Sequence, residues 1–160
     1  MDILDVITKD HDEAVRLVAR IHRLSEHGER ADEIPDLIRS LAQSVRIHAE
    51  SEAEVLQHAC DGTCTRLEQL MQQAAYEHEI MALMITHLGG VDRGDDDRRR
   101  VVLRVLEDLL IHHARTKVDG LVLPLLRRAF TDEERAALGE QMIAAAERIR
   151  AQGPRSQRAA

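Results

Sequence analysis

Gly and Pro, the residues that interrupt regular backbone most strongly, are sparse in this chain and fall at a few points. Only eight Gly and three Pro occur in 160 residues. Gly28 closes one apolar-periodic stretch, Gly62 a second, and Gly89, Gly90 and Gly94 a third. Pro124 lies late in a fourth, and Gly153-Pro154 opens the tail. The stretches between these marks run over 2–27, 33–59, 64–88 and 96–128. Each repeats apolar residues at helical spacing. Thr131-Asp-Glu-Glu, with Glu134 three residues after Thr131, reads as a capping box and predicts a shorter fifth helix. No alternating apolar–polar run and no turn dipeptide between β-rich segments is present, so strands are not expected.

Four long helices joined by short loops predict an all-α, antiparallel up-down-up-down four-helix bundle with a short fifth C-terminal helix. At ~1.5 Å per residue each long helix spans about 35–40 Å. The length suits one domain, expected over 1–152, with a flexible polar tail over 153–160. Hydrophobic residues at 44% provide for a packed core. No apolar run approaches the ~18 residues that a membrane span needs. The acidic N-terminus has no cleavable apolar segment. The formal charge of −7 and an aromatic content of 1% argue against a nucleic-acid surface. Two Cys do not make a disulfide scaffold. A cytoplasmic protein, monomer or homodimer, is expected. No internal repeat is evident. The block Asp95-Asp96-Asp97-Arg98-Arg99-Arg100 reads as a solvated first turn, its acids favoured by the helix dipole.

Nine His accompany this near absence of aromatics. On the first helix the inward stripe is Leu4, Ile7, His11, Ala14, Val18, Ile21. On the second it is Leu41, Val45, His48, Glu52, Val55, Ala59, with His48 and Glu52 stacked at i and i+4. On the third it is Leu67, Met71, Ala74, His78, Met81, Ile85, Leu88, and on the fourth Val102, Leu106, Leu109, His113, with His112 beside it. Antiparallel packing brings His11, His48 and His78 near one level. A buried carboxylate is costly unless it is paired or binds a metal. Convergent imidazoles and a carboxylate from several helices account for the whole pattern as a metal site. The competing reading of each His alone is a satisfied core residue. His22, His27 and His87 sit near helix ends and read as surface residues.

Asp10-His11-Asp12-Glu13, His48-x-x-x-Glu52, Glu77-His78-Glu79 and His112-His113 ahead of Leu123-Pro124 occur in an order that resembles the hemerythrin-like, or HHE cation-binding, family. The resemblance runs from about Asp2 to Arg150, and the stretch from Thr131 to Gly139 is similar to the family's closing helix. It implies a non-haem diiron site inside the bundle. Members bind dioxygen reversibly, sense iron or oxygen, or handle peroxide and nitric oxide. On this resemblance His11 and His48 would ligate one iron, His78 and His113 the other, and Glu52 would bridge them.

Several positions depart from that pattern. Ala74 stands where diiron relatives commonly place a second helix-three ligand. Ala53 replaces a second helix-two carboxylate, and His58 replaces the usual Pro. Lys117 and Val118 occupy the positions where relatives carry a carboxylate on helix four. Asp119, six residues after His113, is the only nearby acid. Counted toward Pro124, helix four carries one residue more than the family spacing, which a helix absorbs as a π-bulge. Such a bulge is expected to turn Asp119 inward, while Lys117 is expected to face water. The candidate ligands are therefore His11, His48, Glu52, His78, His113 or His112, and Asp119. They suffice for one iron, for two irons with open positions, or for another divalent metal.

Tyr76, close to His78 in sequence, is the one aromatic expected near such a site. His58, Cys60 and Cys64 form a second cluster, read either as thiols at a helix junction or as a redox or peripheral metal pair. Leu121, Val122, Leu125 and Leu126 are explained by a dimer face or by packing of the fifth helix. Three functions compete: a module that binds or senses dioxygen or a small oxidant, an enzyme removing peroxide or nitric oxide at the same site, and a metal-free helical interaction domain.

Overall fold

The computed structural model describes residues 1–27, 30–92 and 94–153. Four long helical rods form the bundle: α1 (Ile3–His27), α2 (Ile34–Cys60), α3 (Thr65–Gly89), and a fourth rod built from α4 (Asp96–Ile111), a π-helical segment (His112–Val122) and α5 (Leu123–Ala129). A short 3-10 turn, Ala31–Glu33, precedes α2, and α6 (Asp132–Ala151) closes the chain. No strand occurs among the described residues. Gly28 and the tail beyond Gly153 lie outside the described residues, as does the side chain of His27. No helix among the described residues is long and apolar enough to cross a membrane.

Chemistry at the ends fixes the helix limits. The Asp95 carboxylate accepts from the Arg98 amide at 3.1 Å and caps α4. Arg99, expected in the solvated block, is instead buried and donates to the Asp92 carbonyl. The capping box of α6 is complete: the Glu134 amide donates to Thr131 Oγ1 and the Thr131 amide to Glu134 Oε2.

Burial follows the stripes of the first three helices, save the half-buried Ala59, and on the fourth passes from the expected Leu109 to Leu103 and Leu110; the clusters fix the antiparallel order. One apolar cluster joins the start of α1 (Ile3, Ile7), the end of α2 (Val55, Leu56), the start of α3 (Leu67, Leu70) and the end of the fourth rod (Val122, Leu126). A second joins the end of α1 (Val18, Ile21), the start of α2 (Ile34, Leu41), the end of α3 (Ile85, Leu88) and the start of α4 (Val102, Leu103). Contacts run α1–α2, α2–α3, α3–α4 and back to α1, as an up-down-up-down ring requires.

Helix α6 packs on α1 and α2 and adds Met142 and Ala145 to the first cluster. Gly139 makes this possible. A Cβ there would meet the Met1 carbonyl oxygen at 2.0 Å, because the chain start crosses α6 at that point. Arg135 ties the crossing down through Asp2 at 3.0 Å. Val122 and Leu126 belong to this core rather than to a free face, and only Leu121 of the four is exposed.

The π-helical segment answers the extra residue anticipated on helix four. Leu106, Leu110, Ala114, Val118, Val122 and Leu126 are all buried at a constant interval of four. In an α-helix that interval drifts by roughly 40° per step. The wider π turn cancels the drift and keeps the stripe on the core.

Candidate metal centre

Between the two apolar clusters lies a polar layer. His11, His48, His78 and His113 are all buried there. Their rings form a closed square, with centroid separations of 4.7 Å (His11–His48), 5.1 Å (His48–His78), 4.6 Å (His78–His113) and 5.0 Å (His113–His11). One nitrogen from each lies within 4.8 Å of every other. The Nε2 atoms of His11 and His48 are 3.1 Å apart, and those of His78 and His113 are also 3.1 Å apart. Glu52, 4% exposed, sits one turn beyond His48; its Oε2 is 3.4 Å from His48 Nε2 and its Oε1 4.0 Å from His78 Nδ1.

Carboxylates behind the square aim two of the rings. His48 Nδ1 donates to Asp10 at 3.3 Å, and His113 Nδ1 to Glu77 at 2.7 Å. Holding Nδ1–H this way turns Nε2 toward the centre, as outer carboxylates do for ligating imidazoles. Glu77 also accepts from the buried Lys117 ammonium.

The electrostatics separate the rings. Burial, with His48 and His113 beside it, pushes His11 down to about 2. Burial and the same kind of imidazole neighbours hold His78 at about 3, against the pull of Glu52. Burial also opposes charge on His48, but hydrogen bonds to Asp10 and Glu52 reverse this and raise it to about 9. Burial would raise Glu52, yet the His48 hydrogen bond and the surrounding imidazoles hold it well below the usual carboxylate range. Burial likewise works against an ionised Glu77, and hydrogen bonds from His113 and Lys117 bring it down to about 2. Nε2 of His48 faces both the Glu52 carboxylate and Nε2 of His11. Nδ1 of His11 is buried with no partner.

That orphan shows what the arrangement favours. His11 gives up a hydrogen bond at Nδ1 in order to present Nε2 to the centre, where a second imidazole nitrogen already sits. Buried polar groups are ordinarily paired, and four converging imidazoles plus a carboxylate are the donor set of a divalent transition metal. The residues present fit a metal ion.

Of the sequence candidates, His11, His48, Glu52, His78 and His113 come together, and His112 and Asp119 do not. His112 is exposed. The π-helical segment turns Lys117 rather than Asp119 inward, because its wide turn buries His113, Ala114, Lys117 and Val118. Asp119 Oδ2 accepts from Arg115 at 3.0 Å, and Arg115 reaches Asp12 of α1 at 2.5 Å. The expectation that Lys117 faces water is therefore overturned by its bond to Glu77. Tyr76 is 68% exposed and is no part of the site.

The second cluster does not assemble. Cys60 is buried, its thiol pushed up to about 12 by burial and then by Glu52, while Cys64 is exposed and caps α3 by accepting from the Leu67 amide. His58 is exposed. Asp10 and Glu77 had no role assigned from sequence. The available signal was that each directly precedes a site His on its own helix.

A groove of about 400 Å³ opens between α2 and α3 and reaches the square at Glu52 and His78. Ala49, Ala53, Ala75 and Ala82 keep it wide, and Arg46, Glu50 and Glu79 also line it.

Comparison with known proteins agrees with this geometry. Residues 2–126 match the family model of the hemerythrin HHE cation binding domain. No curated protein and no solved structure matches the chain.

Proposed function

The chain belongs to the hemerythrin HHE cation-binding domain family, and from that premise we propose that it holds non-haem iron in the histidine square and uses it to bind or sense dioxygen or a related small oxidant. The observation that carries this reading is the closed square of four buried imidazoles with Glu52 beside it. His11, His48, His78, His113 and Glu52 would hold the ion. Iron held there supplies a redox-active centre that responds to small oxidants.

The protein's own groups do the rest. Asp10 and Glu77 keep the Nδ1 protons of His48 and His113 in place, so both rings face inward with Nε2. His48 gives up its extra proton when a cation replaces it, since ligating imidazoles are neutral. Glu52 brings the negative charge that offsets the cation. The two apolar clusters close the layer above and below. The groove between α2 and α3 is the route by which a small molecule reaches the site.

Iron analysis by mass spectrometry on loaded, desalted protein, followed by absorption spectra with and without air, tests this reading. Bound iron with an oxygen-dependent spectral change is expected, and His48→Ala abolishes both. A desalted wild-type protein that retains no metal sinks the proposal and leaves a helical interaction domain. Hydrogen peroxide decay on the same sample separates turnover from binding.

A further inference from the structure

The square has an internal two-fold pattern that the sequence did not make evident. An acid-His pair recurs on α1 and α3, as Asp10-His11 and Glu77-His78. In each half the acid serves the buried His of the next helix: Asp10 holds His48, and Glu77 holds His113. In each half the two Nε2 atoms stand 3.1 Å apart. The residue four beyond that His is Glu52 in one half and Lys117 in the other. Both are buried. The two halves thus match in acid, imidazole pair and spacing, and differ in sign at one buried position.

From this difference we infer that the site takes one metal ion per chain rather than two, with the Lys117 ammonium standing in the layer where a second ion would need a carboxylate. The inference rests on the metal-binding function proposed above.

Distances support a single centre. Two imidazole nitrogens held by one ion at about 2.1 Å stand roughly 3.0 Å apart when their bonds meet at a right angle, and roughly 4.2 Å when opposite. The observed 3.1 Å pairs match the first value; the overall span of 4.8 Å exceeds the second, so the widest pair would close up on a single ion. The four ring separations span only 4.6 to 5.1 Å, so one ion at the middle would face all four imidazoles.

Charge points the same way. Of the carboxylates in the layer, Glu52 alone stands beside an inward-facing Nε2; Asp10 and Glu77 hold Nδ1 atoms behind the rings, and Glu77 is already engaged by Lys117. One divalent ion with Glu52 leaves a modest positive charge. A second would add two more beside a buried ammonium, and like charges repel strongly where water is excluded. Ala74, buried one turn before His78, brings no further donor.

The test is the metal-to-chain ratio of the full chain saturated with iron(II) and, separately, cobalt(II), then desalted and analysed by mass spectrometry. EPR of the ferric form accompanies it. One equivalent of either metal is expected, with a high-spin ferric signal that accounts for all the iron. Two equivalents, with ferric iron that is EPR-silent through coupling, overturn this inference while leaving the proposed metal-binding function standing. No retained metal overturns both.

Discussion

The two halves of the histidine layer begin from the same parts and reach different electrostatic ends. On the α1–α2 side, Asp10 keeps nearly a third of its side-chain surface in water and has His48 as its partner in the layer. On the other side Glu77 is 15% exposed and holds both His113 and Lys117. The first carboxylate aims a ring and little else. The second aims a ring and neutralises a buried cation. The same acid-to-imidazole device therefore stands on a partly solvated support in one half and inside an ion-pair network in the other. A network of that kind is costly to break from within.

That contrast is open to direct attack. Among the substitutions the largest effect is expected from Glu77→Ala, which strands the Lys117 ammonium and frees His113. We expect a loss of about 3 kcal/mol in the metal-free protein, the low end of what breaking a buried pair costs, read from urea unfolding. Asp10→Ala should cost about 1 kcal/mol in the same assay, as for one hydrogen bond. Equal losses in the two variants would erase the distinction between the halves. Next, both variants should weaken metal binding by roughly 10- to 100-fold, since each loses an orienting partner of an imidazole. Competition with a chelator of known affinity measures this.

The pH dependence of the metal-free protein sets the rings of the layer against one another. His11 and His78 have native values of about 2 and 3, below the usual 6.5. The unfolded chain takes up protons there that the folded chain refuses, so stability falls as pH drops below 6.5. His48 runs the other way: its contribution is complete below 6.5 and is lost as pH rises through about 9. Asp10→Ala should flatten the alkaline loss and leave the acid loss in place. Unfolding free energies between pH 4 and pH 10 check both limbs, a range of roughly six units around the ordinary imidazole value.

How much of this was legible in the sequence depended on whether the signal was local. Helix limits at Gly62, Gly89 and Asp95 could be read because turn and cap residues act on their own neighbours. His11, His48, Glu52, His78 and His113 could be read because each interrupts an apolar stripe. The direction of Asp10 and Glu77 could not, since each acts across to another helix. Lys117 and Asp119 were exchanged in expectation because the angular shift of a π turn depends on where along the rod it starts. The unbroken interval of four from Leu106 to Leu126 held that information. It becomes decisive only once the core face is known.

A plane of imidazoles and carboxylates across the middle of the bundle also sets how the molecule unfolds. Cooperativity is transmitted by continuous packing, and here the two apolar clusters lie on opposite sides of the polar layer. Helix α6 braces one of them, through Met142 and Ala145. In the metal-free chain, amide protons around Leu41, Ile85 and Leu103 should exchange sooner than those around Leu56, Leu70 and Leu126, as the unbraced half opens first. An ion gripped from all four rods would join the halves into one unit, so that the exchange rates of the two ends converge as metal is added.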